Sequence, residues 1–390
     1  MIAESLHLRN FRNHAETFVR ELAPKINVLA GPNGAGKTSA LEALSITTLT
    51  KSFTTYSDAV LIRRGEQMLE VDSHFTSDLG VPHKVSVTIE AGPPLKKSIF
   101  ANSERIRSSA DLVGLAPVVV LTPDEKIITG GSPGERRRFL NMVLSQASRA
   151  YLEAELEYRR ALKQRNAILA NARKDRRGPL EYLKPLLAPW TELLLQNGVR
   201  IMRRRARFTE EFRPRLLAAY AMLSESREAP SLEYLPMGLE ATPPPFQGGG
   251  GGVVDFESVL AQEAARVEAE EIRRGSTLFG PHRDELRLFI NPGQEARLFA
   301  SQGQHKTLLV AMKLAEFEYL REATHETPML LLDDVFSELD EGRANQLLEL
   351  AASETLGQTF ITSTEAARFE SIASKIGECR IFRVKQGVIK

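Results

Sequence analysis

The residues best suited to chemistry lie between Gly31 and Thr38. This segment reads Gly-Pro-Asn-Gly-Ala-Gly-Lys-Thr and matches the phosphate-loop pattern of a glycine, four residues and Gly-Lys-Thr. Glycines let backbone N–H groups converge on phosphate oxygens without a Cβ in the way. We expect Lys37 to reach the β- and γ-phosphates and the hydroxyl of Thr38 to join a Mg²⁺ shell. The segment therefore predicts a site for a nucleoside triphosphate.

The elements that flank the loop must position it. The apolar run Ile26–Ala30 predicts a strand that leads into the loop, and Ala40, Leu41 and Leu44 recur afterwards at helical spacing. A helix that begins near Lys37 would point its positive end toward the same phosphates. The expected nucleotide-binding residues of this segment are Gly31, Asn33, Gly34, Gly36, Lys37, Thr38 and Ser39.

An acidic pair follows a second apolar run, Met329–Leu332. A buried strand that delivers a carboxylate beside a phosphate loop indicates a Mg²⁺ site. We expect Asp333 to hold the metal together with Thr38, directly or through water. Asp334 would sit farther out, where a general base polarises the attacking water. The pair therefore predicts ATP hydrolysis, with Lys37 and Asp334 as catalytic residues.

Composition excludes several classes of protein. A length of 390 residues allows two or three domains, and the net charge of +1 means that a nucleic-acid surface would have to be a local patch. The single cysteine, Cys379, rules out an internal disulfide and suits a reducing cytoplasm. No apolar stretch reaches about 18 residues, the length of a membrane span, and no signal-peptide core is present. We expect a cytoplasmic protein without a membrane partner.

Periodicity predicts an α/β fold with an inserted helical arm. Residues 1–30 and 56–121 show the short alternating runs of strands, and Val118–Leu121 is typical of a buried strand. From about 149 the chain becomes rich in Leu, Ala, Arg and Glu, as long helices are. The expected domains are an ATPase head at 1–148, an arm at 149–274 with a Pro/Gly-rich loop at 242–252, and the rest of the head at 275–390.

The arm carries a local positive charge. Residues 149–230 contain 18 Lys/Arg and 10 Asp/Glu. A charge run of this kind is often only a solvated helix face, but it would also suit DNA phosphates, which carry no base information. The expected DNA-binding residues are Arg203, Arg204 and Arg205 on the arm, with Arg136 and Arg137 on the head as a second location.

Several segments carry a family resemblance. Leu8–Arg12 and the phosphate loop resemble the heads of the structural-maintenance-of-chromosomes (SMC) ATPases, which have an ABC-type ATPase domain with a mixed sheet. Ser301–Thr307 resembles the signature motif of ATP-binding-cassette ATPases, and Ser337–Asp340 is similar to their D-loop. Within this group, three segments resemble the RecF family of bacterial recombination mediators; they are Thr122–Asp124, Gly131–Arg137 and Gly280–Asp284.

This resemblance implies a DNA-repair ATPase with ATP and Mg²⁺ as cofactors. It adds Arg12, Ser301 and Gly303 to the expected nucleotide-binding residues, and it gives Ser301 a catalytic role. In cassette ATPases the signature of one subunit covers the nucleotide held by the other, which implies an ATP-dependent homodimer. The implied partners are DNA, as single-strand gaps, single-strand/double-strand junctions or duplex, and recombination mediator proteins. The resemblance also implies that the protein assists the loading of recombinase and acts in DNA replication and the SOS response.

Two positions depart from the family pattern. Cassette transporters usually carry a switch histidine after the strand that follows the acidic pair, but residues 360–365 read Phe-Ile-Thr-Ser-Thr-Glu. A hydroxyl, that of Thr364, would then have to sense the γ-phosphate. The expected base is Asp334, one methylene shorter than the commoner glutamate. Both departures predict slow hydrolysis, and the glutamine of a Q-loop is not placed.

Two other classes of protein share the phosphate loop. The motor subunit of a membrane transporter is one, although the missing switch histidine and the basic arm speak against it. A GTPase or a small-molecule kinase is the other, but the sequence contains no Asn-Lys-x-Asp segment of the kind that reads guanine.

Overall fold

The computed structural model describes most of the chain and divides it into two units by internal contacts. The first unit comprises Met1–Glu125 with Val310–Lys390, and the second comprises Lys126–Leu309. The residues outside the description are 56, 175–179, 225–227, 239–254, 338–340, 367–368 and 371–377. The loop expected at 242–252 lies there. The arm expected at 149–274 falls inside the second unit, and its boundaries stay a prediction.

The first unit contains an antiparallel sheet with one face on the core. In its strand Met68–Thr76, Leu69, Val71 and Phe75 are buried, and Met68 and His74 are exposed. This alternation is what a half-buried strand requires. The strands are β1 (Ile2–Phe11), β2 (His14–Val19), β4 (Met68–Thr76), β5 (Pro82–Glu90), β6 (Lys96–Ala101) and β7 (Glu104–Arg105), in the order β2-β1-β4-β5-β6-β7.

A second sheet of the same unit carries the phosphate loop. Its parallel strands are β3 (Ile26–Ala30), β8 (Val118–Leu121), β12 (Met329–Leu332), β13 (Thr359–Ser363) and β14 (Cys379–Lys385), and β15 (Val388–Ile389) pairs antiparallel at one edge. The order β15-β14-β3-β13-β12-β8 makes this the expected mixed sheet. Gly31 follows β3 and Asp333 follows β12, so both lie at the carboxyl edge, where open α/β sheets bind ligands.

Helix α1 (Lys37–Leu49) lies between the two sheets. It contacts β1, β4 and β5 of the first sheet and β8 and β13 of the second. Ala40, Leu41, Leu44 and Ile46 are buried in one continuous core with side chains of both sheets. A helix with apolar residues on more than one side suits this position, because both of its flanks are covered. The unit also contains α9 (Glu341–Ala352).

The second unit is largely helical. Its helices are α2 (Ile127–Gly130), α3 (Pro133–Ala147), α4 (Arg149–Lys174), α5 (Leu180–Leu223), α6 (Phe256–Arg274) and α7 (Ala296–Phe299), and its sheet joins β9 (Ser231–Leu235), β10 (Glu285–Asn291) and β11 (Gln294–Glu295). Helix α8 (Gln302–Thr324) begins in this unit and ends in the first. Among the helices described, none is both long enough and apolar enough to cross a membrane.

Local signals explain the ends of α6. Asp255 caps its first turn by accepting hydrogen bonds from the backbone N–H groups of Glu257 and Ser258. Gly275 ends the helix at a φ of 71°, a conformation that favours glycine, and its N–H donates to the carbonyl of Glu271.

Candidate nucleotide-binding site

The phosphate loop requires glycine at two positions for different reasons. At Gly31 a Cβ would lie 2.2 Å from the carbonyl oxygen of Val384, so the neighbouring strand β14 leaves no room for a side chain. At Gly36 the φ is 113°, and a Cβ would lie 2.7 Å from Nε2 of His14. Gly34 also has a positive φ, 76°, but open space around it. Close packing and backbone conformation together hold the loop in shape.

The turn between β1 and β2 braces the loop from one side. Asn13 donates from Nδ2 to the carbonyl of Gly34 at 3.2 Å, and a ring nitrogen of His14 lies 3.0 Å from the carbonyl of Gly36. Burial lowers the pKa of His14, so the ring is neutral. Gly387, between β14 and β15, donates its N–H to the carbonyl of Ala35 at 2.8 Å. All three contacts engage carbonyl oxygens of the loop, not its N–H groups.

Lys37 is held inside the loop that it would serve. Its ammonium donates to the carbonyls of Gly31 at 2.7 Å and Pro32 at 3.0 Å, and the residue is 8% exposed. Burial lowers its pKa, although the carboxylates of Asp334 and Asp333 act in the opposite direction. In the described part of the chain, the acceptors of the ammonium are these two backbone carbonyls, and a phosphate oxygen would replace them with a stronger, charge-assisted hydrogen bond.

Three elements meet at one oxygen of Asp333. The hydroxyl of Thr38, in the first turn of α1, donates to Oδ1 at 2.8 Å, and the hydroxyl of Thr362 on β13 donates to the same atom at 2.8 Å. Asp333 is 8% exposed, and burial raises its pKa against the effect of these hydrogen bonds. The carboxylate of Asp333 thus joins α1, which follows the loop, to the end of β12 and to β13 between β3 and β12.

This donor set fits Mg²⁺. Among the described residues, no cluster of three or more His, Cys, Asp or Glu could form an all-protein metal cage. Mg²⁺ in nucleotide sites needs no such cage, because one or two protein oxygens suffice when substrate phosphates and water complete its octahedron. Thr38 and Asp333 would hold the ion. Bound there, it would neutralise charge on the phosphate oxygens.

Asp334 begins the turn after β12 in a constrained conformation. Its φ is 51°, which residues other than glycine adopt only occasionally. Its N–H donates to the hydroxyl of Thr362 at 2.9 Å, and the hydroxyl of Ser337 donates to its carbonyl at 2.7 Å. Thr362 therefore fixes both acids, Asp333 through the side chain and Asp334 through the backbone. The D-loop expected at Ser337–Asp340 lies outside the described residues from position 338 onward.

Arg12 is held beside α1 by a buried carboxylate. Its Nε and Nη2 donate to the two oxygens of Glu42 at 2.9 and 2.8 Å, and Nη2 also reaches the hydroxyl of Thr54 at 3.0 Å. Glu42 is 1% exposed, whereas the side chain of Arg12 is 27% exposed. The bidentate pair sets the orientation of the guanidinium, whose Nη1 donates to the carbonyl of Val60 at 3.3 Å.

The other expected ligands are less constrained. Asn33 and Thr364 are exposed, and Ser39 is half-buried in the first turn of α1. Thr364 follows β13 directly, as a residue that senses the γ-phosphate should. In the second unit, Ser301 is exposed and forms a capping box at the start of α8: its N–H donates to Oε1 of Gln304, and its Oγ accepts from the N–H of Gln304. Gly303 lies in the first turn of that helix.

Known proteins similar to this chain share one family. The model of the RecF/RecN/SMC N terminal domain family matches residues 2–390. The DNA replication and repair protein RecF of Salinibacter ruber is 39% identical over 99% of this chain and 91% of its own length. That of Prosthecochloris aestuarii is 38% identical over 94% of each chain. This chain belongs to the RecF family.

Solved structures agree with this assignment. A structure of the recombination mediator protein RecF-ATP in the RecFOR pathway matches with a TM-score of 0.84 and 25% identity, over 100% of this chain and 97% of that one. The Smc head domain of Pyrococcus furiosus matches with a TM-score of 0.53 and 14% identity, over 100% of this chain and 95% of that one, which shows the fold alone. The expected ABC-type, SMC-head-like ATPase fold is confirmed. The membrane-transporter alternative is not favoured.

The RecF-like segment Gly280–Asp284 is built around a buried arginine. Arg205 is 1% exposed, and its Nη1 donates to the carbonyl of Pro281 at 2.6 Å and lies 3.3 Å from Oδ2 of Asp284. Nη2 donates to Asn141 at 2.9 Å. A cation with these partners stabilises the unit and cannot reach a DNA phosphate. We therefore remove Arg205 from the expected DNA-binding residues.

Two arginines of the RecF-like segment Gly131–Arg137 also form bonds within the second unit. Arg136 is 2% exposed and forms a bidentate pair with Glu285 at 2.9 and 3.1 Å. Arg137 is half-buried and donates to the carbonyl of Asp284 at 2.7 Å, and burial lowers its pKa. Arg136 is therefore removed from the DNA-binding set as well, and Arg137 is a weak candidate.

The remaining arginines of that set each face a carboxylate. The side chain of Arg203 is 56% exposed and pairs with Glu257 at 3.1 Å. That of Arg204 is 24% exposed and pairs with Glu211 at 3.2 Å. Arg203 can exchange this partner for a phosphate at little cost, because exposed ion pairs contribute little to stability.

Sequence reasoning missed four residues of the nucleotide site. Thr362 joins both acids, Glu42 orients Arg12, and Asn13 and His14 brace the loop. Asn13 and His14 directly follow Arg12, so their place in a turn beside a recognised motif was the available signal. Thr362 and Glu42 are both buried, and a buried polar side chain needs a partner.

Proposed function

We propose that this chain is an ATP-dependent DNA-binding protein of recombinational repair. ATP closes two copies on DNA, and slow hydrolysis opens them. The observation that carries the proposal is the convergence of Lys37, Thr38, Asp333 and Thr362 at the end of β3, β12 and β13. Membership of the RecF family gives this site its DNA-repair setting, since the similar proteins are named for DNA replication and repair.

The geometry supports binding and hydrolysis of ATP. Lys37 would neutralise the β- and γ-phosphates, the loop N–H groups would hold their oxygens, and Arg12 would add a second cation. Asp334 would orient the attacking water, and Thr364 would contact the γ-phosphate. Aspartate in place of the longer glutamate and a hydroxyl in place of a histidine both favour a slow reaction.

An exposed Ser301 supports the closing of two copies. Its capping box presents a hydroxyl at the positive end of the long helix α8, which is suited to a phosphate. In the resembling cassette ATPases, this motif covers a nucleotide held by the other subunit. Closure would therefore depend on ATP, because the phosphate is what the second copy recognises.

DNA and mediator proteins are the proposed partners. The name of the similar RecF structure places that protein in the RecFOR pathway with recombination mediation. For this chain we propose the same class of partners, with DNA gaps, junctions or duplex as the substrate. Exposed arginines such as Arg203 offer contacts that do not depend on base sequence.

The test compares DNA retention in ATP, in ADP and without nucleotide. A labelled gapped duplex is bound to the protein, and its dissociation is followed by fluorescence anisotropy. We expect retention in ATP only. Asp334→Asn keeps the metal ligand Asp333 and removes the base, so it should retain DNA longer than the parent. Equal retention with and without ATP would contradict the proposal.

A further inference from the structure

A basic cavity lies between two helix ends of the second unit. It has a volume of about 510 Å³ and is lined by Arg173 at the end of α4, Arg273 and Arg274 at the end of α6, and Ser276 just beyond. None of these residues belongs to the nucleotide site or to the DNA-binding residues expected from the sequence. The cavity is therefore separate from both sets of residues.

The cavity depends on close packing at Gly275. A Cβ at this position would lie 3.0 Å from Cδ of Arg173 and 3.5 Å from Cα of Ala170, so α4 rests directly against the cap of α6. Arg173 then donates from Nη1 to the carbonyl of Arg274 at 3.0 Å. This contact fixes the stem of Arg173 beside the other two arginines, and within the described part of the chain its remaining N–H groups have no acceptor.

The cavity carries a positive charge that its own residues do not balance. Arg273 donates to both oxygens of Glu270 at 2.6 and 2.5 Å, and Arg274 donates to the same carboxylate. These hydrogen bonds lower the pKa of Glu270 to about 2, so it is ionised at neutral pH. Arg173 has no carboxylate partner among the described residues. Among the described residues, three guanidinium charges thus face one carboxylate, an excess of two.

A simpler account covers only part of this arrangement. Arginines in the last turn of a helix interact favourably with its negative end, which explains Arg273 and Arg274 on α6. It also covers Arg173, which lies in the last turn of α4, but it does not explain why guanidinium groups from two helix ends line one cavity. Arg203 on α5 differs from Arg173, because it has a carboxylate partner in Glu257.

We propose that Arg173, Arg273 and Arg274 form a phosphate-binding pocket for the backbone of nucleic acid. Guanidinium groups suit phosphate because their parallel N–H groups can bind two oxygens at once. The side chains of Arg273 and Arg274 are 73% and 59% exposed, so a long polyanion can reach them. The inference rests on the proposed DNA-binding function and places part of that binding in this pocket.

The test measures DNA affinity in ATP over a series of salt concentrations. The variant is the triple substitution Arg173→Gln, Arg273→Gln and Arg274→Gln. The matched control is Arg266→Gln, which removes an exposed arginine of α6 that pairs with Glu263. We expect the triple variant to lose at least tenfold in affinity at low salt and to flatten the salt slope by about 0.9 per lost phosphate contact. The control should stay within about twofold of the parent, as expected for an exposed ion pair.

Two results would overturn the inference. One is a triple variant that is folded by its thermal unfolding curve and binds DNA with the affinity and salt slope of the parent. The other is a triple variant that keeps DNA binding but loses binding of free inorganic phosphate or ATP. That loss is measured by calorimetry in a Lys37→Met background, which removes the nucleotide site from the measurement. The pocket would then serve a small phosphate ligand. Failure of the parent itself to bind DNA in ATP would instead contradict the proposed function.

Discussion

The hydroxyl of Thr38 donates a hydrogen bond of 2.8 Å to Oδ1 of Asp333, across 295 positions of sequence. The two residues follow β3 and β12, which are not neighbours in the sheet because β13 lies between them. Thr362 on β13 fills that gap with a second hydrogen bond to the same oxygen. The sheet order thus determines which side chains can share a metal ion.

Lys37→Met is expected to abolish ATP binding. The substitution removes the only side-chain cation within the loop, and charge-assisted hydrogen bonds to phosphate are the strong kind. The free energy of unfolding should change little, because methionine has a similar shape and the hydrogen bonds described for Lys37 go to two loop carbonyls. Isothermal calorimetry with ATP checks this, with the exposed Lys84→Met as the control. Unchanged affinity would show that the loop does not bind the triphosphate.

Thr362→Val is expected to slow hydrolysis more than it weakens ATP binding. Valine has the shape of threonine, but it offers no donor to Asp333 and no acceptor for the N–H of Asp334. An unpaired backbone N–H in this setting should also cost about 1–3 kcal/mol of stability. Thr362→Ser keeps the hydroxyl and is the matched control. Parallel measurements of turnover, ATP affinity and urea unfolding test the prediction, and wild-type turnover in the valine variant would contradict it.

Arg205→Gln and Arg203→Gln should separate a structural arginine from an exposed one. Removing Arg205 leaves Asp284 buried without its cation, which should lower the free energy of unfolding by roughly 3–5 kcal/mol. Removing Arg203 should cost less than about 1 kcal/mol, because its pair with Glu257 is exposed. Urea unfolding of both variants provides the comparison. An Arg205→Gln protein that is as stable as the parent but weaker in DNA binding would restore Arg205 to the DNA surface.

His282 is expected to make stability depend on pH between about 4 and 6.5. Burial lowers its pKa to about 4, with opposition from its hydrogen bond to the carbonyl of Thr277. In the unfolded chain the pKa returns to about 6.5, so the unfolded state binds more protons in this window and stability falls as the pH is lowered. Unfolding of the parent and of His282→Asn at several pH values tests this. The two slopes should differ in this window and converge above pH 7; identical slopes throughout would contradict the prediction.

Local signals made much of the nucleotide site predictable. The apolar run before Gly31 and the run before Asp333 are β3 and β12 with the bounds that the sequence suggested. The motifs that follow these two strands can be recognised from neighbouring residues, because backbone conformation and one or two side chains define each of them. The start of α8 is local too, since Ser301 and Gln304 form a capping box within one turn. The role of Ser301 as part of a signature motif stays a prediction.

Long-range contacts explain what the sequence did not reveal. Arg205 belongs to a dense run of arginines, and nothing in that run shows that its side chain meets Asn141 and Asp284 far along the chain. Charge density alone therefore misplaced part of the DNA surface. The pocket at Arg173 and Arg274 was missed for the same reason, since the two residues lie about a hundred positions apart and the packing at Gly275 brings them together.

The central claim is that two copies share each nucleotide, with Lys37 from one and Ser301 from the other. Hydrolysis by a mixture of two inactive variants, Lys37→Met and Ser301→Arg, tests it most directly. In a mixed dimer both substitutions fall in one site, so the other site keeps an intact Lys37 and an intact Ser301. The account predicts that mixing restores hydrolysis, and that the double variant mixed with either single variant does not. A mixture no more active than its components, under conditions where the parent dimerises and hydrolyses ATP, would contradict it.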